Sequence, residues 1–514
     1  VSILVQDFLP NSAASHPEKV ALVCGGQRFT YTQLDSMANR LAHALHETGV
    51  LRGDRVAIYL NNSPEAVVSI FAALKVGAVF VPVNRTTKAD KLAFILNNCR
   101  ASALIADLRA LRAGLRERVR KDVKSVNCLV ACHGDADGDG GPDPCCRDFA
   151  SIQAACSPAQ LPPQNTDLDL ACLIYTSGTT GEPKGVMCDH SNVVFASGSI
   201  IEYLQNVPED VVLNVLPLAF DYGLYQLLMT FRFGGTLVLE NSFAFPATIL
   251  KLIEQERVTG FPGVPTIFAM LLQMDLSPYD LSSLRYLTNT AAALPPSHIL
   301  ELRRKFPNVT IFSMYGLTET KRTLYLPPSW LDKKPGSVGI AIPGTEVWLE
   351  DESGRRLGPG EVGELVVRGR HVMRGYWESP EATAARYRPG PVPGERLCYT
   401  GDLFRMDEDG CLYFVGRKDD IIKSRGEKVA PKEIETLLHA LPGVAEAAVV
   451  GVPDPLLGQA IKAVVVRSDP KLTAKDVLAH CRANLEDFMV PKTVEFRDVL
   501  PRSPAGKVNK EELV

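Results

Sequence analysis

The sequence predicts an α/β fold: a large N-terminal body of α/β subdomains with a β-rich subdomain, then a small, mobile α+β C-terminal lid. Three observations predict it. Helix-period segments alternate with short apolar strands over residues 31–106, the pattern of parallel sheets flanked by helices. From about 334 to 416 the pattern changes to short β segments separated by Gly and Pro. After a polar stretch at 417–420, mixed helix and strand signals return. A chain of 514 residues also exceeds one ordinary core.

Taken in order, residues 31–48 read as a helix with Leu34, Met37, Ala38, Leu41, Ala42 and Leu45 on one side. Residues 56–60 read as a strand. Ser63 and Pro64 read as the cap and first residue of a helix that runs to Lys75 and closes at Gly77. Residues 78–83 form the next expected strand, 88–98 a helix and 103–106 a strand. Residues 133–168, rich in Gly, Asp, Pro and Gln, read as a surface excursion. In the β-rich part, Glu346-Val-Trp-Leu349 and Gly363-Glu-Leu-Val-Val-Arg368 read as strands. The last part holds a helix from Lys432, strands near 447–452 and 461–466, and a helix capped by Thr473. These readings give a body over 1–416, a hinge near 417–420 and a lid over 419–514. No internal repeat is apparent.

Composition excludes some functions. Lys+Arg number 55 against Asp+Glu 59, a net of −4, so no basic excess exists to hold a nucleic acid. The opening residues lack a secretory pattern and no run of 18 apolar residues occurs, so no membrane span and a cytoplasmic location are expected. Twelve scattered cysteines read as reduced thiols. Cys128, Cys132, His133, Cys145 and Cys146 are spaced poorly for zinc. Asp135, Asp137, Asp139 and Gly140 open a calcium-loop pattern that fails where Cys146 replaces the bidentate Glu.

The segment richest in chemistry is Tyr175-Thr-Ser-Gly-Thr-Thr-Gly-Glu-Pro-Lys-Gly185, after the apolar run 171–174. Gly178 and Gly181 allow close backbone approach to an anion. Thr176, Ser177, Thr179 and Thr180 offer hydroxyls, and Lys184 adds charge. It is not a Walker loop, because Gly178 is not followed by Gly-Lys-Ser/Thr at the required spacing.

The string resembles the phosphate loop of the AMP-forming adenylate superfamily: acyl-CoA synthetases, nonribosomal peptide synthetase adenylation domains and luciferases. Further blocks resemble that family in the same order. They are Phe29-Thr-Tyr-Thr-Gln-Leu34, Leu74-Lys-Val-Gly-Ala-Val-Phe-Val-Pro82, Met314-Tyr-Gly-Leu-Thr-Glu319, Tyr399-Thr-Gly-Asp-Leu403, Gly416-Arg-Lys-Asp-Asp420 through Glu435, and Pro501-Arg-Ser-Pro-Ala-Gly-Lys507. Leu216-Pro-Leu-Ala-Phe-Asp-Tyr-Gly223 with Thr318-Glu-Thr-Lys-Arg-Thr323 looks most like exosortase-associated bacterial acyl-CoA ligases.

The resemblance implies an enzyme that uses ATP and Mg2+ to form an acyl-adenylate, then passes the acyl group to the thiol of coenzyme A or a carrier protein's phosphopantetheine. It implies that Glu319 binds Mg2+ with Thr318 on the adjacent phosphate. Asp402 would receive the ribose hydroxyls, Arg417 the ribose–phosphate region, and Tyr315 with Gly316 and Ala292 would lie near the adenine. Lys507 would be the catalytic lysine, Asp419 the hinge, and Gly426 a neighbour of the thiol channel. Ala291 and Ala293 would border the acyl pocket with Phe220, Asp221 and Tyr222. Phe220 stands where many acyl-CoA ligases carry His. Asp221 stands where amino-acid-activating domains hold a substrate ammonium; alternatively it caps the helix after it. An uncharged acyl substrate and an amino acid, and likewise CoA and a carrier protein, both remain open on sequence.

Overall fold

The computed structural model describes residues 3–133, 146–177, 183–290, 294–424, 427–454, 458–502 and 507–514. Two large sheets dominate it. In the nine-stranded sheet the order is Ile340–Ala341, Leu324–Tyr325, Thr310–Tyr315, Tyr286–Asn289, Gly260–Gly263, Val211–Asn214, Thr236–Leu239, Val20–Cys24 and Gln27–Thr30. Every pairing from Thr310–Tyr315 to Val20–Cys24 is parallel, and both edges are antiparallel. The seven-stranded sheet runs Cys146–Asp148, Cys128–Cys132, Ala101–Asp107, Arg55–Tyr59, Val79–Pro82, Leu170–Ser177 and Pro183–Asp189. Only its last pairing, the Leu170–Ser177/Pro183–Asp189 hairpin, is antiparallel.

Apolar helices fill the space between these sheets. Phe71, from Pro64–Lys75, stacks on Phe231, from Asp221–Phe233, with ring centroids 5.5 Å apart. One core cluster unites them with Leu22 and Leu237 of the first sheet and Ile58 and Ile105 of the second. Pro64–Lys75 starts where expected: the Ser63 hydroxyl accepts the Ala66 N–H, and Pro occupies the first helical position. Its one buried cation, Lys75, is neutralised by Asp35 at 2.8 Å.

A five-stranded antiparallel sheet follows. It comprises Thr345–Glu350, Val362–Gly369, Arg396–Met406 and Tyr387–Pro389, with Leu412–Arg417 also on Arg396–Met406. The C-terminal part builds a separate sheet from Glu427–Val429, Ile422–Ser424, Gly458–Arg467, Val444–Asp454 and Thr493–Phe496. The helices Pro431–His439 and Ala474–Asn484 cover it, with Ile434, Val449, Val465 and Val477 in its own core. The Thr473 hydroxyl caps the second helix at Asp476 N–H.

Within residues 133–168 the described residues 146–155 are more ordered than composition suggested. Cys146–Asp148 pairs in parallel with Cys128–Cys132, and Phe149–Ala155 is a helix capped by Asp148. Phe149 and Ile152 are buried, and Gln153 Nε2 donates to the Met37 carbonyl at 3.1 Å. The local helical spacing of Phe149 and Ile152 wins over the polar composition around it. Asp135, Asp137, Asp139, Gly140 and Cys145 lie outside the described residues. Cys128 and Cys132 are buried strand residues, and no disulfide joins any two of the eleven described cysteines. Among the described residues no helix is long and apolar enough to cross a membrane.

Candidate active site

Parallel strands present their C-terminal ends along one edge, where open α/β sheets bind ligands. Four neighbouring strands of the nine-stranded sheet do so here. Val211–Asn214 leads into 216–222, Gly260–Gly263 into Val264, Tyr286–Asn289 into Thr290, and Thr310–Tyr315 into Gly316–Glu319. Gly316 makes the last turn possible: a Cβ there would lie 1.8 Å from the Lys321 carbonyl oxygen, so the chain folds back on itself. Thr323 N–H then bonds Tyr315 O at 2.9 Å, and Glu319 is left buried.

The β-hairpin reaches the same place from the other sheet. Val186 pairs with Tyr376, and Trp377 N–H donates to Gly185 O at 2.7 Å. The Tyr376 hydroxyl donates to Glu319 Oε1 at 2.5 Å, while the Lys184 ammonium sits 5.8 Å from the Tyr376 ring centre. Burial, reinforced by Glu319, raises the Tyr376 phenol far above its usual range and keeps it a donor. Burial lowers the Arg386 guanidinium, but Glu319 and then Tyr376 more than offset it. Tyr376 and Arg386 therefore shape the Glu319 site, although sequence reasoning missed both. Neither residue lies in any of the blocks that carry the family resemblance.

Asp402, 6% exposed, accepts from the Tyr315 hydroxyl at 2.5 Å on Oδ2 and from Arg417 Nε at 3.1 Å on Oδ1. Burial, with Asp402 beside it, raises the Tyr315 phenol well above its usual value. Arg417 ends the strand paired with Asp402, so the two are register partners. Lys507 arrives from the C-terminal part. It is exposed to solvent, yet protein crowds the cleft around its ammonium. Crowding and then Arg417 lower its pKa, while Asp402 and Glu319 act oppositely. The chain thus brings Lys507, Arg417, Asp402 and Glu319 into one electrostatic neighbourhood. Thr318 and Gly316 are half-buried beside Glu319, and Thr176 lies opposite Lys184 in the hairpin register. Asp419 is exposed, two residues beyond the strand end. Gly178, Thr179, Thr180, Gly181, Ala291, Ala292, Ala293 and Gly426 lie outside the described residues, as does the Ser177 side chain.

The acyl side needs a correction. Asp221 neither caps its helix nor awaits an ammonium. The cap position belongs to Phe220, and Asp221 is inside the first turn with no capping bond. Its carboxylate already meets the buried Lys321 ammonium at 2.6 Å and Arg322 Nη1 at 3.5 Å. Two cations beside it would repel a third. Tyr222 is buried and donates to Thr288 O at 2.8 Å, tying this wall to the Tyr286–Asn289 strand.

A doubly wound body with the buried carboxylates Glu319 and Asp402 held at its strand ends suits a nucleotide-dependent ligase class. The chain belongs to the AMP-binding enzyme family: that family's profile matches residues 9–377, and its C-terminal domain profile matches 433–507. It is 32% identical to the long-chain-fatty-acid–CoA ligase of Bacillus subtilis (strain 168), over 99% of this chain and 94% of that protein. It is 36% identical to a feruloyl-CoA synthase of Amycolatopsis sp., over 98% and 96% respectively. The crystal structure of ATP-bound MatB from Rhodopseudomonas palustris superposes with a TM-score of 0.88 at 31% identity, covering 100% of this chain and 98% of that one. The protein is an AMP-forming acyl-CoA synthetase-type ligase.

The residues present fit a magnesium ion. Glu319 uses Oε1 for Tyr376 and keeps Oε2 without a partner among the described residues, a hard oxygen of the kind Mg2+ takes beside substrate phosphates.

Proposed function

We propose that the protein activates a carboxylic acid with ATP and transfers the acyl group to the thiol of coenzyme A. The acid's carboxylate oxygen attacks the α-phosphorus, the bond to pyrophosphate breaks, and an acyl-adenylate forms. The thiol sulfur then attacks the acyl carbon and AMP leaves. The observation that supports this reading is the pair of buried carboxylates at the strand ends, Glu319 bonded by Tyr376 and Asp402 bonded by Tyr315 and Arg417.

Each residue has a part in the scheme. Lys507 neutralises charge that builds on the oxygens around phosphorus, with no general base needed because a carboxylate is already a nucleophile. Glu319 would hold Mg2+, which would supply positive charge to the triphosphate, and Thr318 would touch the neighbouring phosphate. Residues 176–181 and Lys184 cradle the phosphates. Asp402 exchanges its Tyr315 and Arg417 contacts for ribose hydroxyls, leaving Tyr315 beside the adenine with Gly316 and Ala292. A lid over 419–514 turns about Asp419, relative to a body over 1–416, to admit the thiol near Gly426.

Exchange of labelled pyrophosphate into ATP across a panel of acids tests the first half-reaction, and thioester formation tests the second. Supplying free coenzyme A and a phosphopantetheinylated carrier protein in parallel separates the two thiol acceptors. Absence of exchange with every acid defeats the reading.

A further inference from the structure

The end of the chain that carries Lys507 is fastened to the C-terminal sheet at several points. Val508 pairs with Arg502, and Asn509 N–H donates to the Pro501 carbonyl at 2.8 Å. Leu513 is fully buried with Ala448, Val450, Val464 and Leu500, and its carbonyl accepts from Lys462 Nζ at 2.9 Å. Between these anchors Lys510 reaches Glu435, its ammonium 2.8 Å from Oε1. Lys507 itself makes no hydrogen bond or ion pair to another described residue. What aims its ammonium is therefore the backbone that the anchors hold.

Glu435 is the anchor that packing alone does not explain. It is a carboxylate only 8% exposed, on the same helix as the buried Ile434 and Leu438. Burial would raise its carboxyl, but Lys510 and then Lys432, at 4.0 Å, hold it below its ordinary value. Its Oε1 also accepts the Val449 N–H at 3.0 Å, which ties it to the strand Val444–Asp454. A buried ion pair adds little net stability over apolar side chains of the same size; what it adds is one fixed geometry.

That geometry joins the lid to the nucleotide side of the body. The helix Pro431–His439 packs against Leu412–Arg417, the body strand whose last residue meets Asp402 at 3.1 Å. Asp420, at the hinge, feels the same ammonium: burial raises its carboxyl, and Lys510 is the foremost charge opposing the rise. Lys510 thus lies three residues from Lys507, paired with a helix that rests on the strand of Arg417.

We propose that Glu435 and Lys510 are positioning residues for adenylate formation: their buried ion pair holds the terminal segment so that the Lys507 ammonium points at the reacting phosphate. This rests on the adenylation reading and adds two residues to it.

The test uses the full chain with the acid that gives the fastest ATP–pyrophosphate exchange. Glu435→Gln keeps the size of the side chain and an acceptor for the Val449 N–H but removes the charge. It should slow adenylate formation about 10- to 100-fold in kcat, the scale of one charged hydrogen bond. The KM for ATP and thioester formation from supplied acyl-adenylate should change less than about twofold, because neither needs Lys507 in place. Lys510→Met should match it, and Lys510→Arg should recover most of the rate. In a Lys507→Ala background Glu435→Gln should cost almost nothing more, since two residues acting through one group are not additive. Should Glu435→Gln fail to fold, Lys510→Met, whose wild-type side chain is partly exposed, carries the same comparisons. Equal loss of both half-reactions, or a second full loss on top of Lys507→Ala, would mark the pair as merely structural and overturn the proposal. Wild-type protein that exchanges with no acid defeats the adenylation reading itself, a different result.

Discussion

The two sides of the cleft handle charge differently. On the nucleotide side, Asp402 shares a neutral phenol and a guanidinium that is about half exposed, and Lys507 faces solvent. Asp402 is as buried as Asp221, but water reaches the Arg417 guanidinium that meets it, so that contact is screened and the more easily displaced. On the acyl side, Asp221, Lys321 and Arg322 are almost dry. There the charges fix one another, and any group entering the pocket meets a field that is already set. The first side suits a substrate common to the whole family; the second suits discrimination.

Substitutions can break this contrast. Asp221→Ala should have the largest effect: it strands Lys321 in the core and should lower unfolding free energy by about 3–5 kcal/mol, measured by denaturant titration. Asp402→Ala should leave the denaturation midpoint nearly unchanged and instead raise the KM for ATP. A similar stability loss in both variants would erase the distinction. Next, Lys507→Ala should slow adenylate formation by about 10²–10³, while thioester formation from supplied acyl-adenylate survives. Equal loss of both steps would remove Lys507 from the first.

A smaller effect is set by pH. Burial lowers His190 from 6.5 to about 4, and its Nδ1 accepts the Val5 N–H at 3.0 Å. Between those values the unfolded chain takes up a proton that the folded chain refuses. Stability should therefore fall as pH drops below about 6.5, by at most about 1.4 kcal/mol per unit from this residue, and level off near 4. His190→Gln should flatten that slope in denaturation midpoints; an unchanged slope would show that His190 is not its source. The smallest effect is expected at Tyr376→Phe, which frees Glu319 Oε1. Exchange should slow about tenfold and recover partly at higher Mg2+. Loss without such recovery would place Tyr376 outside the Glu319 site.

The contrast also explains what could be read from sequence. The Pro64–Lys75 helix announced itself through Ser63 and Pro64, because capping is local. Glu319, Asp402 and Lys507 stood out because their neighbours form specific strings. Tyr376 and Arg386 did not, since their meaning comes from a contact with Glu319 that only the fold creates. Asp221 was misjudged for the same reason: its partner Lys321 is remote in the chain, so an occupied carboxylate looked vacant. The adjacent pair Lys321-Arg322, flanked by Thr320, Thr323 and the apolar Leu324, carried a usable signal. Two charges in an otherwise buried run need partners. The Phe149–Ala155 helix was hidden by averaging composition over too wide a window.

One strand carries a consequence for synthesis. Val20–Cys24 lies between Gln27–Thr30 and Thr236–Leu239, with Leu22 beside Leu237. Its parallel neighbour leaves the ribosome about 200 residues later, a delay on the order of 10–40 s at ~5–20 residues per second. Throughout that interval the hairpin with Gln27–Thr30 presents a sticky, half-satisfied edge. The nascent chain should thus lean on a holdase, and slow codons before residue 236 would lengthen its exposure.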